Sequence, residues 1–182
     1  IPLTNYSHSA VIIFFVLSGL VISATSARPK ETPSRFVIAR AARIYSVALP
    51  AIVLCYSMGI LYGYFNNWHL DTSWRDSALS YSTPIQSVFF LLQSWHYAEL
   101  PWNAPYWSLC YEVWYYVFFF ILFFVSKKIK MLCLFLMMCL AGPAICILFP
   151  IWWMGVWVMQ HPKFSFGRRY ANWIAFLTSI AI

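Results

Sequence analysis

Charge is what this chain has least of. Of its 182 residues only 12 are Lys or Arg and five are Asp or Glu, so 9% are charged, against about 25% in ordinary soluble proteins. With 62% hydrophobic residues and a mean hydropathy of +0.69, that scarcity excludes a water-soluble globular fold. The chain also lacks paired cysteines. Cys55, Cys110, Cys133, Cys139 and Cys146 all lie in apolar stretches with no CxxC spacing, which argues against a disulfide framework and a zinc site. No HExxH or comparable ligand set occurs, and although His69 with Asp71 and His96 with Glu99 are close in sequence, they read as polar loop residues, so no metal is expected. No cleavable signal pattern is expected in this stretch, because no basic region precedes its first apolar segment. The net charge of +7 comes from short clusters between apolar runs rather than from one polar face, which speaks for membrane topology and against nucleic acid.

What is present is a series of long apolar runs. The first extends from about Ser9 to Thr25, near the lower limit for a membrane-spanning helix. A connection follows with Arg28, Lys30, Arg35, Arg40 and Arg43 against the single acid Glu31, and by the positive-inside rule it is cytoplasmic. A second span covers about Ile44 to Phe65 and leads to a polar, extracytoplasmic stretch from Asn66 to Pro84. The run from Ile85 to Tyr97, at about 13 residues, is too short for an easy crossing and predicts a re-entrant or interfacial helix. A strong span from about Trp107 to Val125 then returns inward to Lys127, Lys128 and Lys130. From Met131 to Gln160 the run is broken by Gly142, Pro143 and Pro150, and two short crossings or one long kinked helix both fit; two would return Lys163, Arg168 and Arg169 to the cytoplasm. A last span begins near Ala171. The expectation is an all-α polytopic membrane helix bundle, a single domain over residues 1–182 with five to six hydrophobic segments and one short re-entrant or interfacial helix. Because the chain starts at Ile1 without methionine and stops at Ile182 within an apolar run, it reads as a fragment.

One acid stands out. Glu112 lies in PYWSLCYEVWYYVFFF, otherwise aromatic and aliphatic apart from Ser108. On insertion scales an ionised side chain at the centre of a membrane helix costs roughly 2.5 to 3.5 kcal/mol, so such residues face a cavity, a partner or a substrate path. Helical period places Ser108, Glu112 and Tyr115 or Tyr116 on one face, while Trp107 suits the interfacial aromatic belt. A buried acid kept only for packing specificity is the plainer alternative. In SAVIIFFVLSGLVISATS, Gly19 and Ser23 have the small-xxx-small spacing of a helix-packing groove, with Ser18 adjacent. In RFVIARAARIY, Phe36, Arg40 and Arg43 share a helix face with Arg35 close by; topology alone explains such arginines, and phosphate recognition by guanidinium forks is the functional alternative.

Taken in order, FFVLSGLVI, RFVIARAARIY and PYWSLCYEVWYY resemble successive motifs of the integral-membrane acyltransferase 3 family, and FPIWWMGVWV is similar to a later segment in which a glycine follows aromatic residues. That family includes O-acetyltransferases of bacterial surface polysaccharides and lipo-oligosaccharides. The resemblance implies an acyl group, commonly acetyl, taken from cytoplasmic acyl-CoA (acetyl-CoA) and delivered to a hydroxyl of an extracytoplasmic glycan or lipid-linked saccharide, in a bacterial inner membrane. It implies Arg35, Arg40 and Arg43 at the coenzyme A phosphates, Ser18 and Gly19 in the tightly packed FFxLSG helix, and Trp107, Ser108 and Glu112 in the WSLxxE signature, with Glu112 and Ser108 catalytic. The family's principal histidine follows an arginine after ten intervening residues, ahead of FFxLSG; no such pair occurs here, so the fragment alone is expected to be inactive. His8, at the outer mouth of the first span, is a candidate for acceptor binding or proton transfer, with an ordinary interfacial histidine as the alternative. The rival reading is a proton-coupled membrane transporter or glycan-export component in which Glu112 relays a proton.

Overall fold

The computed structural model describes residues 3–27, 32–65, 82–95, 100 and 103–161, with side chains of the first helix described from Ala10 onward. Among these residues the chain is helical and holds no strand, only one isolated bridge between Leu100 and Asn103. The elements are α1 (Leu3–Ser26), α2 (Pro33–Phe65), α3 (Ser82–Val88), α4 (Tyr106–Phe124), α5 (Lys127–Ala141) and α6 (Pro143–Gln160). Of these, α2, α4 and α6 are long and apolar enough to cross a membrane, and α1 contributes the shorter apolar stretch Ala10–Ser26. Large apolar side chains such as Val53, Leu54, Met131 and Ile147 lie on the outside, where hydrocarbon rather than water accommodates them. The all-α membrane bundle expected from composition is the observed architecture.

The chain divides into two compact units, residues 1–36 with 147–182, and residues 37–146. In the first, α1 meets the second half of α6 backbone to backbone. A methyl group built on Gly19 would collide with the carbonyl oxygen of Trp152, and one on Gly155 with that of Val16. Phe15, Ile22, Trp152 and Val156 are fully enclosed around this crossing. The indole of Trp152 donates to Ser18 Oγ at 3.3 Å, so the serine supplies the acceptor that a buried tryptophan requires. The small-residue groove read from the sequence is therefore a real contact surface, and its partner is the helix containing FPIWWMGVWV.

In the second unit α4 is the most enclosed element, with ten buried residues from Tyr106 to Ile121. The segment before it departs from expectation. Rather than one helix from Ile85 to Tyr97, the described part is a seven-residue helix, α3, followed by turns. Phe90 and Trp95 adopt positive φ of 58° and 65°, a conformation a right-handed helix cannot hold and one that costs about 1–3 kcal/mol for a non-glycine residue. Side chains from α2 and α4 pin it in place. Tyr45 Oη donates to the Val88 carbonyl at 3.1 Å, Tyr106 Oη to that of Ser87 at 2.9 Å, and Trp114 Nε1 to that of Phe90 at 3.3 Å. The buried Phe90 ring stacks on Tyr106. Tyr106→Phe, which removes one of these three donors and leaves the ring, is expected to destabilise the protein by about 1 kcal/mol, read as a lowered unfolding temperature in detergent.

Between Met131 and Gln160 the break falls at one place. Gly142 has φ of 89° and ends α5, and Pro143 opens α6, the position where a missing N–H costs nothing. Trp95 Nε1 donates to the Cys139 carbonyl at 2.8 Å beside this break. Pro150, expected as a further interruption, sits inside α6 without ending it. Two helices, not one long kinked one, occupy this stretch. Lys130 Nζ donates to the Leu122 carbonyl near the C-terminal end of α4, placing a cation at the negative end of the helix dipole. Arg28, Lys30, Glu31, His69, Asp71, His96, Glu99, Lys163, Arg168, Arg169, the polar stretch through residue 81 and the span expected after Ala171 lie outside the described residues.

Candidate functional site

Glu112 lies within the enclosed stretch of α4, Tyr106 to Ile121, and is 4% exposed. One helical turn on, Tyr116, itself 6% exposed, donates its hydroxyl hydrogen to Glu112 Oε1. The i to i+4 spacing makes this bond possible within a single helix. From α2, the Arg40 guanidinium carbon lies 5.8 Å from the centroid of the Tyr116 ring, within the range in which a cation is attracted to a π face. Tyr116 thus contacts, through its two ends, the carboxyl group of one helix and the arginine of another. The sequence had placed Glu112 and Arg40 in separate motifs; the fold brings both to the same tyrosine.

The rest of the expected polar stripe has other partners. Ser108 donates to the Pro105 carbonyl at 2.9 Å, closing the first turn of α4 rather than meeting Glu112. Tyr115 Oη donates to the Ile145 carbonyl at 3.2 Å, tying α4 to the first turn of α6. Trp107 is partly buried and meets Tyr111 edge to face, 5.3 Å between centroids. On α2, Phe36 is buried, Arg40 and Arg43 are half-buried and Arg35 is exposed. The Arg35 backbone N–H donates to Thr32 Oγ1 at 3.3 Å, a side-chain cap that starts the helix at the residue before Pro33. Ser18 and Gly19 belong to the α1 contact with α6 described above. His8 lies in α1, and its side chain is outside the described residues.

The role of Tyr116 was only half visible in the sequence. Its spacing from Glu112 singled out Tyr115 or Tyr116 equally, and only the direction in which each hydroxyl points separates them. The approach of Arg40 to α4 links residues far apart in the chain and leaves no local signal.

Three helices of membrane-crossing length and apolar composition, one of them carrying the enclosed Glu112 carboxyl group, mark an integral membrane protein with a polar centre on α4. The family model described as an acyltransferase domain, acyltransferase 3, matches residues 3–182, and the chain belongs to that family. No curated protein and no solved structure gives a match. The family makes the protein a membrane acyltransferase.

Proposed function

We propose that the protein transfers an acyl group, commonly acetyl, from cytoplasmic acyl-CoA to a hydroxyl of an extracytoplasmic glycan or lipid-linked saccharide at a bacterial inner membrane. The observation that carries this reading is the enclosed Glu112 carboxyl group held by Tyr116, with Arg40 against the same ring, in a chain of the acyltransferase 3 family. In the transfer the thioester C–S bond breaks, an oxygen ester forms, and the acceptor hydroxyl proton ends on the departing coenzyme A thiolate. Glu112 orients the acceptor hydroxyl or the base that deprotonates it, a task that needs a fixed carboxyl group in a poorly hydrated place. Arg35, Arg40 and Arg43 receive the coenzyme A phosphates, for which the planar guanidinium fork is the suited donor.

Two measurements on the full-length protein in proteoliposomes test this. Coenzyme A thiol should appear in step with O-acyl ester on an added glycan and should stop when the glycan is withheld; thiol release without ester formation across a panel of glycans would contradict the reading. Arg43→Ala should raise the KM for acyl-CoA by about tenfold with little change in kcat, as expected for loss of one charged contact made equally in ground and transition states. Unchanged saturation by acyl-CoA would remove Arg43 from the donor site.

A further inference from the structure

The hydroxyl of Tyr116 gives the enclosed part of α4 a donor that a phenyl ring would lack. Further along the same helix, at the buried Phe118 and Phe119, α4 uses a plain phenyl ring. Tyrosine at 116 adds a donor, and that donor meets a carboxyl oxygen rather than a backbone carbonyl. Tyr115 makes the contrast from the neighbouring position: its hydroxyl, equally enclosed, is spent on the Ile145 carbonyl and joins two helices. A carboxyl group on a flexible side chain turns about its own torsions, and a donor one turn away holds one oxygen and so aims the other. The face of the same ring seats the Arg40 guanidinium.

We infer that Tyr116 is a positioning residue for the acyl transfer: its hydroxyl fixes the Glu112 carboxyl group and its ring fixes the α2 arginine beside it, so that the two groups keep one relative geometry. This rests on the acyl-transfer reading above. Misplacing a reacting group by an ångström costs up to two orders of magnitude in rate, and a group that acts only through Glu112 loses part of that. Tyr116→Phe in the full-length protein therefore lowers kcat by about tenfold or more while the acyl-CoA KM stays put, because the ring beneath Arg40 remains.

The same deletion at the preceding position, Tyr115→Phe, is the control and should keep kcat within about twofold of the parent, as its hydroxyl donates to the Ile145 carbonyl rather than to Glu112 Oε1. Infrared difference spectra give a readout that packing alone does not move. The carboxyl band assigned to Glu112 by its loss in Glu112→Gln should shift in Tyr116→Phe and hold its frequency in Tyr115→Phe. If Tyr116→Phe does not fold, 3,5-difluorotyrosine incorporated at 116 keeps the ring and hydroxyl, changes the strength of the donor, and should shift the same band. An unmoved band, or parental kcat in Tyr116→Phe while Glu112→Gln is inactive, overturns the positioning role and leaves the acyl-transfer reading standing. Parental turnover in Glu112→Gln overturns the catalytic role of the carboxyl group, and the positioning role with it.

Discussion

Glu112→Gln should lower kcat for acyl transfer by at least about a hundredfold, the lower end of what a positioned acid or base contributes, with the protein still inserted and folded. The substitution is nearly isosteric. Glutamine keeps a carbonyl oxygen that accepts from Tyr116, so the bond that anchors the side chain in α4 has a substitute, and the helix loses an ionisable group rather than a packing unit. An amide cannot take up a proton or hold a cationic base as a carboxylate does. Turnover should therefore fall without loss of the monodisperse peak in detergent chromatography. A large drop in folded yield with unchanged turnover per folded molecule would instead assign Glu112 to packing specificity.

The largest expected effect on stability is at the other unit. Gly19→Val places a branched side chain against the Trp152 carbonyl, and the neighbouring atoms on that side are backbone, the Trp152 carbonyl carbon and the Val156 nitrogen. A flexible side chain could swing aside; a helix backbone cannot. The two helices must separate, which loosens the contacts of Phe15, Ile22, Trp152 and Val156 and lengthens the hydrogen bond from Trp152 to Ser18. Overpacking of a core typically costs about 1–3 kcal/mol, and a clash with backbone belongs at or above the upper end. Thermal unfolding of the detergent-solubilised protein should show a clear loss for Gly19→Val, matched by Gly155→Val from the facing helix, whereas Ser18→Ala, which removes only the acceptor, should cost about 1 kcal/mol. Parental unfolding temperatures in both glycine variants would contradict the close crossing.

Much of this was legible because the controlling signals are local. Span positions follow from apolar runs, and Glu112 declares itself by being an acid among aromatic residues. Gly19 declares itself by its spacing from Ser23. Three features were not legible, each for a physical reason. The Ile85 to Tyr97 run is apolar enough for a helix, yet donors from α2 and α4 take its carbonyls, and with Phe90 and Trp95 at positive φ the helix stops at Val88. Pro150 looks like a breaker because of its missing N–H, but α6 runs through it, and the only break is at Gly142, whose positive φ a sequence does not display. The meeting of Arg40 with Tyr116 depends on how α2 lies against α4, a tertiary fact with no counterpart in either motif.

The most direct test of the central claim follows isotopically labelled acetyl from acetyl-CoA to surface glycan in membrane vesicles, with the full-length protein beside Glu112→Gln at matched expression. Label on the glycan with the parent and little with the variant is the predicted result; equal labelling by the two, or none by either across a range of acyl donors and glycans despite correct insertion, would contradict it.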